Sequence, residues 1–290
     1  MHSLDPSLLI ANDLARLLLK FVLSPVLVVQ VVATRRRALV LPEAQGTREG
    51  RLGEGPHTLR LLIAGDSSAA GVGVDHQDHA LAGYLTRALH ARTGRPLQWA
   101  LRARSGLTTA DVHALLRDDP PMEADVVVVV SGVNDLIEQI PSHKAVQHRE
   151  ALARWLLDEY HAAHVVFASL PPVHRFPLLP QPLRCLAGAD ARRHDRALAE
   201  WAARRPGVSH APIALELGPE NMAADGFHPG EPVYRACGEA LAEHIHRLVL
   251  LPVEPGMDDG VHSSSFEPES PAWTSNAIQS EGMSKANARG

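Results

Sequence analysis

The sequence predicts an α/β domain, a parallel sheet of about five strands flanked by helices in three layers. Three observations carry this expectation: short apolar runs recur along the middle of the chain, amphipathic stretches separate them, and turn residues stand where the runs end. The runs are LRLLIA (59–64), LQWALRA (97–103), DVVVVVS (125–131), HVVFASL (164–170) and the weaker GVSHAPI (207–213). Their apolarity is continuous rather than alternating, the pattern of strands buried on both faces of a parallel sheet.

Helical patterns lie between the runs. Ala80, Leu81, Tyr84, Leu85, Ala88 and Leu89 fall on one stripe, and Leu152, Trp155, Leu156 and Tyr160 form another. A last helix opens at Glu231-Pro232, because proline at the first helical position lacks only an N–H that has no partner there.

Composition divides the chain into three segments. Residues 1–57 hold an apolar stretch, then Arg35, Arg36 and Arg37, then a Gly/Glu/Arg-rich linker. Residues 58–250 form the α/β domain. Residues 251–290 are polar, rich in Ser, Glu, Pro and Gly and without periodicity, so they are expected to be a disordered tail.

With 290 residues and 45% hydrophobic content, the chain can build one well-buried domain plus appendages. A formal charge of −5 provides no basic face to follow phosphates, so nucleic acid is not an expected partner. Cys185 and Cys237 are the only cysteines, which excludes a disulfide scaffold and CxxC metal sites. The DHQDH stretch (75–79) has the look of a ligand cluster, but Asp78 is better placed as the N-cap of the following helix. No metal or cofactor is expected.

Chemistry in doubly wound sheets collects where strands end and helices begin. The first run ends at Gly65-Asp66-Ser67, the second leads to Gly106, the third to Gly132 and Asn134, and Asp225 stands three residues before His228 near the last helix. These positions supply a hydroxyl, an imidazole, a carboxylate, a backbone N–H after a glycine turn and a side-chain amide. Acyl transfer needs that set. A serine requires a base, the base requires a carboxylate to fix its tautomer, and the tetrahedral oxyanion requires preorganised donors. Ser67, His228 and Asp225 fit the first three roles, while Ser67 N–H, Gly106 N–H and the Asn134 amide fit the oxyanion site. Taken singly, each has a plainer reading: a turn at Ser67, a helix cap at Asn134, a surface pair at Asp225 and His228.

In their order along the chain, Gly65-Asp66-Ser67, Gly106, Gly132-Val133-Asn134-Asp135 and Asp225-Gly226-Phe227-His228-Pro229 resemble the SGNH (GDSL-type) hydrolase superfamily. The resemblance spans roughly residues 59–247. It places that family's four hallmark residues at Ser67, Gly106, Asn134 and His228, and it implies a flavodoxin-like sheet and cofactor-free, serine-dependent ester hydrolysis. Ser68 departs from the leucine in the family's name. The substrate expected is a small-molecule or lipid ester; a carbohydrate O-deacetylase of the same fold and a catalytically idle membrane-tethered module are the alternatives. Phe176, Leu178 and Leu179, in a proline-rich loop after the fourth run, are candidates either for an acyl pocket or for its rim.

Residues 7–33 are expected to associate with a membrane surface. The stretch LLLKFVLSPVLVVQVVA (17–33) is interrupted by Lys20 and Pro25, and Asp13, Arg16, Lys20 and Ser24 gather on one helical stripe, which suits a helix lying in the interface better than one crossing it. The arginines that follow favour the cytoplasmic face. Export through a signal segment, and packing of this helix on the domain itself, are the alternatives.

Overall fold

A computed structural model describes residues 6–118 and 123–250. Its centre is a six-stranded sheet in the order β1-β3-β2-β4-β5-β6, with β1 Glu49–Leu52, β2 Leu59–Gly65, β3 Leu97–Ala103, β4 Val126–Val130, β5 His164–Ala168 and β6 Val208–Ala211. The five strands expected from the apolar runs all form, and they pair in parallel.

Their continuous apolarity has the expected cause. Successive side chains of a strand point to opposite faces, and both faces are covered. Leu61 and Ile63 of β2 join Val128 and Val166 under the helices α3 (Leu81–Thr93) and α8 (Glu231–Leu250). Leu62 and Ala64 join Val127, Val129, Val165 and Phe167 on the other side, under α4 (Thr109–Asp118), α6 (Ser142–Arg154) and α7 (Leu183–Ala202). Leu61, Leu62 and Ile63 are fully buried, and truncating any of them to alanine is a change of about 2–5 kcal/mol.

The sixth strand corrects the reading of residues 42–57 as linker. β1 pairs antiparallel with β3, Glu49 opposite Ala100 and Leu52 opposite Leu97. Just before it, Ala44 N–H donates to Ala70 O and Gln45 N–H to Asp75 O, while buried Gln77 Nε2 donates to the Ala44 and Ala70 carbonyls. This segment therefore packs into the domain. It escapes sequence reading because an edge strand of four residues, EGRL, with an alternately exposed pattern has no continuous apolar run.

Asp78 does not cap α3. A 3₁₀ turn, Gln77–His79, intervenes, with His76 Nδ1 accepting from Asp78 N–H at 3.3 Å, and α3 begins behind Ala80 without a side-chain cap. Among the described residues, no group of three or more His, Cys, Asp or Glu is arranged to hold a metal ion.

The apolar N-terminal stretch is a helix, α1, Pro6–Arg37, with Pro25 inside it. Among the described residues no helix is long and apolar enough to cross a membrane. At Lys20 the expected polar stripe meets the domain, its half-buried Nζ lying 2.6 Å from Asp190 Oδ2 on α7. Residues 251–290, expected to be a disordered tail, lie outside the described residues.

Candidate active site

The sheet order puts β2 between β3 and β4, so the chain leaves β2 for one neighbour and later returns to the other side. The C-terminal ends of those three strands meet at this switch point, where a crevice opens in such sheets.

At the end of β2 the backbone crowds β4: a Cβ on Gly65 would stand 2.1 Å from Val130 O. Only glycine fits there. Asp66 follows as N-cap of a short helix, α2 (Ser67–Ala70), its Oδ1 accepting Ser68 N–H at 3.0 Å. The cap leaves Ser67 as the first helical residue, whose N–H has no partner within the helix. Burial pushes the Asp66 carboxyl up to about 7, against the Ser68 N–H and the charge of His228, which favour its ionised form.

His228 Nε2 lies 3.0 Å from Ser67 Oγ, and His228 Nδ1 lies 2.5 Å from Asp225 Oδ2. The carboxylate is held in turn by Phe227 N–H and His228 N–H, both 2.9 Å from Oδ1, in a turn whose Gly226 has φ +65°. Three-residue spacing thus lets one aspartate close its own loop and orient the imidazole. Burial works to raise the Asp225 carboxyl, but the His228 side chain and the two backbone donors outweigh it and hold it below the usual carboxylate value. Such an arrangement keeps Nδ1 protonated and Nε2 free to accept.

Asn134 sits in α5 (Val133–Ile137) after β4. It does not cap that helix; its Nδ2 donates to Leu107 O at 3.0 Å. Gly106 precedes Leu107 with φ +83°, a conformation that L side chains rarely adopt, although a Cβ there would meet nothing within 4 Å. Of the five residues expected to form the site, Ser67, Asp225 and His228 are joined by hydrogen bonds, Asn134 lines the same pocket as Ser67 and His228, and Gly106 adjoins it through the Leu107 bond.

Two supports carry no local sequence signal. Glu43 Oε1 accepts Ser105 N–H at 2.7 Å and Ser105 Oγ–H at 2.9 Å, and Glu43 Oε2 pairs with Arg48 at 2.6 Å. The segment expected to be linker therefore holds the loop that carries Gly106. Beneath α5, fully buried Asp135 accepts from Thr109 N–H and Oγ1–H at 2.9 and 2.7 Å, with the buried Arg149 guanidinium 3.4 Å away. That cluster fixes the helix carrying Asn134 from below.

A pocket of ≈ 80 Å³ runs inward from Ser67 and His228 between Phe176, Leu217, Met222, Val233, Cys237 and Leu241. Burial pushes the Cys237 thiol up to about 12, so it lines the wall as a neutral apolar group. Leu178 and Leu179 are not part of it. They line a second, wider groove of ≈ 320 Å³ that also takes in His228 and Asp225. Phe176 is thus on the pocket wall and the two leucines on the rim.

Known proteins share this architecture. The chain is 28% identical over 199 residues to a GDSL-like esterase of Mycobacterium tuberculosis, covering 65% of this chain and 62% of that relative, less than two thirds of its length. The structure is similar to that of a lipase from a goat rumen metagenome (TM-score 0.54, 21% identity, 64% of this chain and 96% of that one). It is also similar to that of a Mycobacterium smegmatis aryl esterase in inhibitor-bound form (TM-score 0.52, 21% identity, 66% and 99%). A family 3 carbohydrate esterase of Clostridium thermocellum has the same fold at TM-score 0.51 and 17% identity, over 66% and 98% of the two chains. The model of the GDSL-like lipase/acylhydrolase family matches residues 63–236, a span that opens in β2 just before Ser67 and closes in α8 after His228, and this chain belongs to that family.

Proposed function

We propose that the protein hydrolyses carboxylic esters through an acyl-enzyme on Ser67. The carrying observation is the unbroken line from Asp225 Oδ2 through the His228 imidazole to Ser67 Oγ, at 2.5 and 3.0 Å. Ser67 Oγ attacks the ester carbonyl carbon while its proton passes to His228 Nε2, and Asp225 stabilises the imidazolium so formed. Ser67 N–H, Gly106 N–H and Asn134 Nδ2–H receive the oxyanion. When the tetrahedral intermediate collapses, the C–O bond to the alcohol breaks and His228 returns the proton to the leaving oxygen. Water then repeats the sequence on the acyl-enzyme, releasing the acid and restoring Ser67. No cofactor or metal takes part in these steps.

The apolar wall of the inner pocket supports an aliphatic or aromatic acyl group there over a sugar ring, which calls for polar partners and a stacking platform. The test is a serine-directed fluorophosphonate probe on the wild type and on Ser67→Ala, followed by an acyl-chain series of p-nitrophenyl esters. Labelling and turnover of the wild type, both lost in a folded Ser67→Ala, are expected; removing such a nucleophile costs on the order of 10⁶ in turnover. Labelling that survives in the variant excludes Ser67. Activity confined to acetylated sugars assigns the chain to O-deacetylation, and an unlabelled wild type makes it a binding module.

A further inference from the structure

The N-terminal helix is built inside out relative to an ordinary surface helix. Lys20 and Gln30 face the protein: Lys20 pairs with Asp190, Gln30 Nε2 donates to Gln181 O at 2.6 Å, and Gln30 Oε1 accepts Leu183 N–H at 3.2 Å. Its apolar groups face out. Leu18, Phe21, Val22, Val29 and Val32 recur at three-, four- and seven-residue steps along one stripe, with Phe21 78%, Val22 72% and Val29 67% exposed. A contiguous apolar face of this kind on a soluble domain marks an interaction surface. At its C-terminal end stand the exposed Arg35, Arg36 and Arg37.

The same end of the helix walls the outer groove. Val31, Thr34, Arg35 and Leu39 line it together with Leu136, Ile137 and His228. Ser67 and Asn134 line the inner pocket and not this groove. Because His228 Nε2 protonates the leaving oxygen, a groove that touches the imidazole but neither the nucleophile nor the amide donor suits the alcohol half of an ester.

We propose that α1 docks on an anionic lipid surface, its apolar stripe in the interface and Arg35–Arg37 among the headgroups, so that the outer groove takes the alcohol half of esters resident in that lipid layer. The three exposed arginines at one end of the apolar stripe select this occupant, since anionic headgroups complement their charge. A helix lying in the interface also needs no more length than α1 has. The inference rests on the ester-hydrolase reading for its substrate and on α1 alone for its docking.

The test uses the full-length chain and sedimenting vesicles of phosphatidylcholine with or without phosphatidylglycerol. Co-sedimentation with the anionic vesicles is expected, weakening as salt is raised. Phe21→Ser/Val22→Ser/Val29→Ser should lower partitioning by at least about tenfold, and so should hydrolysis of a vesicle-borne long-chain ester fall, while turnover of a short soluble ester stays at the wild-type rate. Arg36→Glu/Arg37→Glu should abolish the preference for phosphatidylglycerol without touching the soluble reaction. A wild type that stays in the supernatant, a serine variant that binds as well as the wild type, or a solution dimer that the serine variant breaks each overturns the proposal. Ser67→Ala should bind vesicles as the wild type does, so a failure of docking and a failure of the chemistry are read separately.

Discussion

The Asn134 side chain donates from Nδ2 to the carbonyl oxygen of Leu107 at 3.0 Å, tying the helix after β4 to the loop after β3. The two elements proposed to offer oxyanion donors are thereby one unit. One N–H of the amide is committed to the loop, and the other is left to the pocket that Asn134 shares with Ser67 and His228.

Asn134→Ala removes the proposed transition-state donor and the tie to the Gly106 loop together. Turnover should fall by about 10²–10³ with a smaller change in KM, because the interaction strengthens as the oxyanion forms. Steady-state kinetics on a short soluble ester check this. A loss seen only in thermal stability would reduce Asn134 to a structural strut.

Asp225→Asn tests the orienting carboxylate. An amide can keep one oxygen on the Phe227 and His228 N–H groups, but its NH₂ then faces His228 Nδ1 and forces the proton onto Nε2. In that tautomer the ring cannot accept from Ser67. Turnover should drop by roughly 10⁴ with the fold intact, as judged by kcat alongside circular dichroism. A loss of less than tenfold would mean that Asp225 only closes its turn.

Much of this was legible in the sequence, for reasons tied to particular residues. Val126–Val130 announces a doubly covered strand because neither face of it meets water, and Asp225 and His228 lie close enough in sequence for their loop to bring them together. The partner of Asn134 was not legible, since a backbone carbonyl at Leu107 has no residue type to signal it. Nor was α7, whose buried face runs through Gly188, Ala191 and His194 before it turns apolar at Leu198, Trp201 and Ala202, so its first half shows no apolar stripe. Phe176 could be narrowed to pocket or rim, and no further, because the choice depends on where a proline-rich loop settles.

Glu43 was the least legible residue and yields a prediction of its own. Its carboxylate grips the Ser105 N–H and hydroxyl, and through them the turn at Gly106. Burial works to raise this carboxyl, but the Ser105 donors and Arg48 prevail and keep it below the usual value. Glu43→Ala should reduce kcat by about tenfold, as expected for a donor misplaced by a loosened loop, while KM changes much less. Glu43→Gln, which retains an acceptor for Ser105, should recover most of the activity. Equal losses in the two variants would show that the charge on Arg48, and not the loop, is what Glu43 serves.

Asp66 sets a pH dependence of stability with a definite sign. Burial raises its carboxyl from 3.8 to about 7 in the folded protein, whereas the unfolded chain exposes it to water. Between those values the unfolded state has released the proton and the native state has kept it, so the native state binds more protons and its stability declines as pH rises across this window. The slope for one such group is at most about 1.4 kcal/mol per pH unit, flattening above pH ~7. Asp225 works in the opposite sense. Its lowered carboxyl contributes stability above the usual carboxylate range that is lost as pH falls below it, so the two effects separate along the pH axis. Asp66→Asn keeps an oxygen for the Ser68 N–H and removes the titration. In denaturant melts at several pH values from 4.5 to 7.5, chosen to bracket the window set by Asp66, the variant should gain on the wild type steadily as pH rises, and the gap should stop growing near pH ~7. Two curves that stay parallel throughout would show that Asp66 titrates in the native protein as it does in the unfolded chain.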